Sequence, residues 1–320
     1  MTGHVYVPRL LTDDAMTAVT ALDVPVVVGR EEPPTTAELL RDVAGAIAVV
    51  CTLTERIDEP VLAAAGPQLR VVANVAVGYD NIDVAAAGAR GVVVTNTPGV
   101  LDGATADLTM GLVLAASRRI AEGDRFLRSG MPWIWGPRML TGLDVSAGAT
   151  LGVVGYGRIG RAVTRRARAF DMRVLATPTR ADLSADERAA VEFRELPDLL
   201  TEADVVTLHC PLSPQTHHLI DDAALARMRP TALLVNTARG GIVDTDALVR
   251  ALAEGRLAGA ALDVFEDEPQ VDPRLLELPQ VVLTPHLGSA GLATREAMCG
   301  LAVRNVAAVL AGGEPLTPVS

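Results

Sequence analysis

Three ionisable side chains stand in the second half of the chain, and each follows a short apolar run. They are Arg239, Glu268 and His286, and the runs are 232–236, 260–264 and 281–283. Such runs are typical of buried strands, and in an open α/β sheet the carboxyl ends of parallel strands form the ligand crevice. Arginine binds a carboxylate through paired hydrogen bonds, histidine delivers a proton near neutral pH, and glutamate favours the charged imidazole. With a nicotinamide beside them, these groups are what the reduction of a ketone needs.

A glycine-rich turn predicts where that nicotinamide cofactor binds. Gly155, Gly157 and Gly160 form G-x-G-x-x-G between an apolar run at 151–154 and a helical pattern at 159–170. The first glycine permits the tight turn, the second lets a pyrophosphate approach the backbone, and the third lets helix and strand pack closely. The N–H groups at the start of the helix favour the phosphate. Because the motif joins a strand to a helix, it predicts dinucleotide binding rather than an ordinary turn.

The residues after the next strand bear on which dinucleotide is used. In a Rossmann domain an acidic residue about 20 positions past the glycines usually binds the ribose 2′-hydroxyl. Pro178 stands there instead, while Thr177, Thr179 and Arg180 offer two hydroxyls and a cation. This set suits a 2′-phosphate better than a bare ribose. We therefore predict NADP or NAD as cofactor, with a preference for NADPH; the alternative is that Arg180 opens a solvated loop.

Alternating strands and helices with short links predict an α/β fold of two doubly wound parallel sheets. The first unit runs to about residue 98, and a final helix at 292–310 is expected to pack back on it, because chain termini tend to lie close together. A long helix is predicted at 105–129. In the second unit we predict a Rossmann sheet of six strands, at 151–154, 173–177, 205–208, 232–236, 260–264 and 281–283.

The composition narrows the classes of function. Hydrophobic residues make up 49% of the 320 and charged residues 21%, which fits a globular protein with a large core. The net charge of −11 disfavours nucleic acid as a partner. No apolar run reaches the ~18 residues of a membrane helix, and we see no signal peptide. The chain has no lysine, which excludes Schiff-base chemistry on a lysine side chain.

The cysteines bear on location and on metals. Cys51, Cys210 and Cys299 are odd in number and far apart in sequence. This spacing argues against a disulfide framework and for a reducing, cytoplasmic compartment. Neither C-x-x-C nor H-E-x-x-H occurs, so no metal site is expected.

Two loops are further candidates. The stretch 74–83 follows a predicted strand, and the backbone N–H groups around Val77 and Gly78 are placed to hold an anion. The alternative is a plain strand-to-helix loop. The irregular segment 130–145 carries Trp133 and Trp135. Aromatic residues in a projecting loop suggest a subunit contact or a pocket wall, and the alternative is a cap on the edge of the core.

Along almost its whole length the chain resembles the D-isomer-specific 2-hydroxyacid dehydrogenase family, and within it the glyoxylate/hydroxypyruvate reductases. The matching segments are V-G-Y-D-N-I-D at 77–83, T-N-T-P-G-V-L at 95–101, G-Y-G-R-I-G at 155–160, H-C-P-L at 209–212, N-T-A-R-G at 236–240, L-D-V-F-E-D-E-P at 262–269 and L-T-P-H-L-G-S-A at 283–290. The resemblance implies an enzyme that reduces a small 2-oxo acid to the D-2-hydroxy acid by hydride transfer from NAD(P)H.

The resemblance also assigns residues to roles. It implies that Arg239, Glu268 and His286 are catalytic. The substrate is expected to contact Arg239, His286, Ser289 and the backbone N–H groups of Val77 and Gly78. Beyond the glycine-rich turn and the segment 177–180, cofactor contacts are expected from Thr105, Arg158, Ile159, His209, Cys210, Pro211, Thr216, Thr237, Ala238, Arg239, Asp263, His286 and Gly288.

Domain roles follow from the same resemblance. Residues 1–98 and 287–320 are expected to form a flavodoxin-like substrate domain, and residues 99–286 a Rossmann dinucleotide-binding domain. The stretch 99–145 is expected to include an arm that joins a homodimer. Two departures from the family pattern stand out: Pro178 replaces the acid of NAD-preferring members, and Asp107 stands where glutamate is common.

Other activities within the family remain as alternatives. A phosphoglycerate dehydrogenase would be expected to carry a regulatory domain beyond Ser320. A phosphite-oxidising relative is similar in its motifs. A formate dehydrogenase is disfavoured, because there the partner of the histidine resembles glutamine whereas here it is Glu268. A dinucleotide-sensing corepressor, which is a binding protein, would need a partner-docking extension.

Overall fold

The computed structural model describes residues 3–319, which form two compact units. The first unit runs to Leu101 and resumes at Ala290, and the second comprises Asp102–Ser289. The predicted divisions at 98 and 286 thus fall slightly before the observed ones. Because the chain passes between the units twice, the first unit is assembled from both ends of the sequence.

The first unit is a five-stranded parallel sheet with helices. Its strands are β1 (His4–Arg9), β2 (Val26–Arg30), β3 (Ala46–Cys51), β4 (Val71–Asn74) and β5 (Val93–Thr95), and its helices are α1 (Asp13–Thr20), α2 (Thr36–Asp42), α3 (Glu59–Ala65), α4 (Val84–Ala89) and α13 (Leu292–Leu310). The strand order is β2-β1-β3-β4-β5, which is the predicted flavodoxin-like order. Strands β3 and β4 are buried along their whole length, as expected where both faces of a parallel sheet are covered.

The second unit is a seven-stranded parallel sheet. Its strands are β6 (Thr150–Val154), β7 (Arg173–Ala176), β8 (Glu192–Phe193), β9 (Val205–Leu208), β10 (Leu233–Asn236), β11 (Gly259–Leu262) and β12 (Val281–Leu283). Its helices are α5 (Asp102–Ser117), α6 (Ile120–Arg128), α7 (Arg158–Ala169), α8 (Ala185–Ala189), α9 (Leu196–Glu202), α10 (Asp222–Leu225), α11 (Thr245–Ala253) and α12 (Pro273–Leu276), with short 3₁₀ turns at Val145–Ala147 and Gly240–Ile242.

The sheet order of the second unit, β12-β11-β10-β9-β6-β7-β8, confirms the predicted Rossmann fold but not the strand count. The order in which successive strands are added to the sheet reverses between β6 and β9. This is the topological switch point, where such sheets bind nucleotides. The prediction of six strands was wrong because β8 was missed. This edge strand has only two residues, too few for an apolar pattern to mark, and it pairs Glu192 and Phe193 with Leu175 and Ala176 of β7.

The predicted helix at 105–129 was also wrong, because the structure has two helices there. Helix α5 ends at Ser117, and Arg119 adopts a left-handed backbone conformation with φ 52° before α6 begins. The helical hydrogen bonds of α5 end at Ser117, whose carbonyl accepts a hydrogen bond from the N–H of Leu143 at 2.8 Å. Gly142 makes this approach possible, since a Cβ atom there would lie 1.9 Å from the same carbonyl oxygen.

The C-terminal helix belongs to the first unit, as predicted. Helix α13 packs against β3, β4 and α1. Arg70 donates hydrogen bonds to the carbonyls of Val309 and Leu310 at its end. The side chain of Asn305 is fully buried and accepts from the N–H groups of Leu316 and Thr317, which holds the segment after the helix against it.

The three cysteines carry free thiols; Cys51 and Cys299 are buried, and Cys210 is half-buried. Among the helices of residues 3–319, none combines the length and the apolar character needed to cross a bilayer.

Candidate active site

The glycine-rich turn has the geometry that its sequence predicts. Gly155 has φ 97°, and a Cβ atom there would lie 2.4 Å from the backbone nitrogen of Cys210. At Gly160 a Cβ atom would lie 2.3 Å from the carbonyl oxygen of Gly155, so this glycine lets α7 pack against the turn. At Gly157 a Cβ atom would meet no protein atom within 4 Å. The backbone at Gly157 is therefore open to an approaching ligand.

The start of α7 fits the pyrophosphate of a dinucleotide. Gly157 is the N-cap residue, and the first intrahelical bond joins the N–H of Arg161 to its carbonyl at 3.0 Å. The N–H groups of Arg158, Ile159 and Gly160 precede that bond and have no partner within the helix. Helix N-termini of this kind bind phosphate through such N–H groups and the helix dipole. Together with the open backbone at Gly157, these groups would hold the dinucleotide.

The two threonines that follow β7 already hold backbone groups. The hydroxyl oxygen of Thr177 accepts a hydrogen bond from the N–H of Gly155 at 3.0 Å, which ties the end of β7 to the glycine-rich turn. The hydroxyl oxygen of Thr179 accepts from the N–H of Ala181 at 3.1 Å. The side chain of Arg180 is exposed. Of this segment, Arg180 is the group whose charge is presented to solvent.

The loop after β9 is neutral at the positions assigned to the cofactor. Burial lowers the pKa of His209 to about 3, and its Nε2 lies 2.9 Å from the hydroxyl of Thr207. Burial raises the pKa of Cys210 to about 11. The hydroxyl of Thr216 donates to the carbonyl of Pro211 at 2.6 Å and so closes the loop. These residues offer shape and hydrogen bonds rather than charge.

The turn after β10 positions Arg239. The side chain of Asn236, only 1% exposed, accepts from the N–H of Ala238 at 3.0 Å and donates to the carbonyl of Arg239 at 2.8 Å. A Cβ atom at Gly240 would lie 1.9 Å from the carbonyl carbon of Phe265, so only glycine lets this turn meet the loop after β11. Arg239 itself is half-buried and donates to the carbonyl of Ala238 at 2.9 Å. Beside this turn, the hydroxyls of Thr237 and Thr109 lie 2.9 Å apart.

Glu268 and His286 form a hydrogen-bonded pair. Oε2 of Glu268 lies 2.8 Å from Nδ1 of His286, and Oε1 accepts from the N–H of Phe265 at 3.0 Å. Burial acts to raise the pKa of Glu268, but the bond and charge of His286, the Phe265 N–H and the charge of Arg239 lower it below its ordinary value. The carboxylate is therefore ionised, and Nε2 is the ring nitrogen left to exchange a proton.

The buried carboxylate of Asp263 holds the loop that carries His286. It accepts hydrogen bonds from the hydroxyl of Thr284 at 2.6 Å and from the N–H groups of Leu287 and Gly288 at 2.7 and 2.8 Å. The N–H of His286 donates to the carbonyl of Asp263 at 2.9 Å, and His286 has a left-handed backbone conformation with φ 54°. The structure thus gives Asp263 a positioning contact in addition to its predicted place beside the cofactor.

The remaining predicted residues lie in two places. Thr105 is buried near Gly288, where a Cβ atom added to the glycine would be 3.6 Å from the threonine hydroxyl oxygen. Ser289 is half-buried at the end of the second unit. Val77 and Gly78 lie in the first unit, where their carbonyls accept from the side-chain amides of Asn96 and Asn74, each at 2.8 Å. No described residue accepts a hydrogen bond from the N–H of Val77 or Gly78.

The structure therefore brings the three residues of the predicted catalytic trio to the carboxyl ends of adjacent strands β10, β11 and β12. Sequence reasoning missed the residues that position them, namely Asn236, Gly240 and Thr284. These residues were recognisable in part, because a polar residue at the end of an apolar run often begins a turn that its side chain stabilises. Their partners, however, lie on other strands and have no local signature.

Comparison with known proteins decides the family. Residues 110–288 match the family described as D-isomer specific 2-hydroxyacid dehydrogenase, NAD binding domain. The chain belongs to the D-isomer-specific 2-hydroxyacid dehydrogenase family. It is accordingly an NAD(P)-dependent oxidoreductase that acts on a small molecule. This confirms the resemblance, the enzyme class and the use of a nicotinamide dinucleotide predicted from the sequence.

Relatives within the D-isomer-specific 2-hydroxyacid dehydrogenases include glyoxylate reductases of archaea. The one from Thermococcus kodakarensis is 50% identical over 287 residues, which are 88% of this chain and 85% of the relative. The one from Pyrococcus horikoshii is 48% identical with the same coverage. The chain is also similar to the solved NADPH-dependent glyoxylate/hydroxypyruvate reductase of Sinorhizobium meliloti bound to NADP and malonate, with 33% identity and a TM-score of 0.85 over 100% of this chain and 97% of that one.

Proposed function

We propose that this dehydrogenase reduces glyoxylate or hydroxypyruvate to the D-2-hydroxy acid with NAD(P)H. The relatives named above support the substrate class, since they are glyoxylate or glyoxylate/hydroxypyruvate reductases. The observation that carries the proposal is the 2.8 Å contact between Glu268 and His286, beside the strand end that presents Arg239. A proton donor with a fixed ring and a cation for the carboxylate are the groups that reduction of a 2-oxo acid requires.

Arg239 and His286 divide the chemistry at the reacting carbon. The guanidinium of Arg239 binds the substrate carboxylate and polarises the C2 carbonyl. A nicotinamide dinucleotide held at the glycine-rich turn would supply the hydride that reduces C2. His286 donates the proton on Nε2 to the C2 oxygen, which becomes the hydroxyl. This transfer prevents a full negative charge from developing on that oxygen. Proton transfer from a placed group is typically worth about 10²–10⁴-fold in rate.

Glu268 acts through the imidazole. Its carboxylate bonds to Nδ1, which orients the ring and leaves Nε2 to face the substrate oxygen. The Phe265 N–H in turn holds the carboxylate. Glu268 is thus a positioning residue that fixes the orientation of the His286 ring.

For the first unit we propose the role of substrate domain, with the N–H groups of Val77 and Gly78 binding the carboxylate. Two observations support it. The amides of Asn74 and Asn96 occupy the carbonyls of these two residues, which fixes the orientation of the loop. Their N–H groups have no acceptor in the part of the chain that the structure describes.

We also propose that NADPH is preferred, although NADH is used. No carboxylate stands at 177–180 to repel a 2′-phosphate, and the exposed guanidinium of Arg180 is available to contact one. Because exposed charges are screened within about 8 Å in physiological salt, we place the gain near the lower end of a charge-assisted bond, about tenfold in affinity.

The working form is proposed to be a cytoplasmic homodimer. The segment after α6 exposes several large apolar side chains, including Ile134 at 91% and Trp135 at 76%. An exposed apolar patch of this kind usually marks an interaction surface. Three free thiols fit a reducing compartment.

A panel of initial rates tests the proposal. Glyoxylate, hydroxypyruvate, pyruvate and 3-phosphohydroxypyruvate are each offered with NADH and with NADPH, to the wild type and to His286→Ala. We expect fastest reduction of glyoxylate or hydroxypyruvate, and a loss of about 10²–10⁴-fold in kcat in the variant. His4→Gln serves as the control, since His4 lies in β1 and bonds to the backbone of Asp42.

Other outcomes would overturn the proposal in distinct ways. Preference for 3-phosphohydroxypyruvate would indicate a phosphoglycerate dehydrogenase, and NAD-linked oxidation of phosphite would indicate the phosphite-oxidising activity. Tight dinucleotide binding without turnover of any substrate would indicate a corepressor-like protein. Near-normal turnover by a folded His286→Ala variant would remove His286 from the chemistry.

A further inference from the structure

Two neighbouring histidines and a glutamate lie together outside the catalytic trio. His217 and His218 belong to the loop after β9, and Glu266 belongs to the loop after β11. One nitrogen of each ring and one carboxylate oxygen all lie within 4.8 Å of one another. Nε2 of His218 is 2.6 Å from Oε1 of Glu266. In residues 3–319 these are the one set of three or more metal-binding side chains at such spacing.

The backbone turns both imidazoles to the same side. His218 has φ 50°, in the left-handed region that non-glycine residues seldom adopt. As a result the two rings stack, with centroids 4.0 Å apart and planes inclined by 27°. The N–H of His218 donates to the carbonyl of Gly241 at 2.9 Å, which holds this conformation. Such backbone strain persists only where surrounding contacts maintain it, and it clusters at functional sites.

The carboxylate is held ready to bind a cation. Oε1 of Glu266 lies within hydrogen-bond distance of His218, and Thr245 also hydrogen-bonds to the carboxylate. Thr245 begins helix α11. A metal-binding carboxylate is usually supported by hydrogen bonds of this kind from a second layer of residues. These hydrogen bonds orient the carboxylate of Glu266.

The group is also accessible. The side chains of His218 and Glu266 are 34% and 29% exposed, and His217 is exposed. Zinc bonds to nitrogen and oxygen at about 2.0–2.1 Å, so the ligand atoms of a tetrahedral site lie about 3.4 Å apart. The observed upper limit of 4.8 Å is wider than this, so binding of one ion requires the ligand atoms to move closer together. Solvent remains available for a fourth ligand.

We propose that His217, His218 and Glu266 bind one Zn²⁺ ion per chain, with water as the fourth ligand. Two imidazoles and a carboxylate, without a thiolate, suit borderline divalent ions such as Zn²⁺. The site is separate from the catalytic trio, but Glu266 stands two residues before Glu268 and the backbone of His218 bonds to Gly241, two residues after Arg239. An ion bound here joins the loops that follow β9 and β11.

The sequence offered no spacing that is typical of zinc sites, and the structure shows why. The histidines are consecutive, and their glutamate lies far along the chain on another loop. Only the left-handed backbone of His218 and the parallel order of β9, β10 and β11 bring the three together.

Competition with a coloured zinc chelator tests the proposal on metal-free full-length protein. The wild type should withdraw one Zn²⁺ per chain from the chelator. His217→Ala and Glu266→Gln should each weaken zinc binding by at least about tenfold, the loss typical even of an outer-layer contact. His286→Ala and His4→Gln should bind as the wild type does. Thermal unfolding without metal checks that each variant is folded, and His217→Gln provides a second, more conservative change at an exposed position.

Three results would overturn the site. One is a wild type that withdraws no zinc from the chelator. Another is zinc uptake by folded His217→Ala and His217→Gln equal to that of the wild type. The third is loss of uptake in His286→Ala with retention in His217→Ala, which would place the ion on the catalytic pair.

Discussion

Replacing Asp263 with asparagine tests how the loop that carries His286 is held. The side chain of Asp263 is fully buried, and its two oxygens accept three hydrogen bonds, from Thr284, Leu287 and Gly288. Asparagine has nearly the same shape, so the substitution leaves no cavity. It changes only the pattern of donors and acceptors.

The cost follows from that pattern. An amide presents one oxygen and one NH₂ group, whereas the N–H groups of Leu287 and Gly288 bond to different oxygens of Asp263, at 2.7 and 2.8 Å. Whichever way the amide is turned, one backbone N–H faces another donor. An unsatisfied buried donor costs about 1–3 kcal/mol. Each kcal/mol lowers Tm by about 2–4 °C in a domain of this size, so we expect a decrease of about 2–12 °C.

Calorimetry and steady-state kinetics measure the two consequences. The loop carries His286, so disorder there should lower kcat by up to about 100-fold, the rate equivalent of the same 1–3 kcal/mol. Asp267→Asn is the matched control, since Asp267 is an exposed acid in the loop after β11. It should leave both Tm and kcat unchanged. If Asp263→Asn melts with the wild type and turns over normally, the carboxylate does not hold the loop and the reasoning fails.

Three further substitutions test the site and the assembly. Glu268→Gln should lower kcat for reduction, because the carboxylate that orients the His286 ring is lost; an unchanged kcat would count against the pair. Because the folded pKa of Glu268 is lowered, its stabilisation is fully present above the ordinary value near 4.3 and is lost as pH falls through the lowered pKa, so the gap in Tm between wild type and Glu268→Gln should close in acid. Arg180→Ala should raise KM for NADPH by about tenfold and leave KM for NADH nearly unchanged; a wild type that favours NADH tenfold would refute the preference. Trp135→Ala should weaken self-association in analytical ultracentrifugation, and a wild type that sediments as a monomer would contradict the dimer.

Periodic and local features of this fold were predictable from the sequence. The alternation of apolar runs with helical patterns predicted both parallel sheets. Strands that are buried on both faces consist of continuous apolar runs, which are recognisable in the sequence. Features set by contacts between distant segments were not predictable in the same way. Helix α5 ends at Ser117, whose carbonyl is reached by a later segment because position 142 is a glycine. The two-residue strand β8 forms by pairing with β7 at the edge of the sheet.

The same division holds at the site. Strand ends located Arg239, Glu268 and His286, because a parallel sheet collects them at one edge. The partner of each polar group is set by the folded structure, so the contact of Thr177 with Gly155 and the contacts of Asp263 with the loop at His286 were not predictable from the sequence. The predicted roles of these residues toward the cofactor and substrate stay predictions.

The left-handed backbone conformation at His286 determines which residues can replace the histidine. The conformation is held by bonds from the N–H groups of 286, 287 and 288 to the carbonyl and carboxylate of Asp263, and the imidazole takes no part in those bonds. The loop conformation therefore does not depend on the imidazole of His286. Asparagine, which tolerates left-handed backbone well, could replace the histidine without rebuilding the loop. If His286 has the proposed role, such a protein would bind the dinucleotide without turning it over, which is the property required of a sensor protein for dinucleotide.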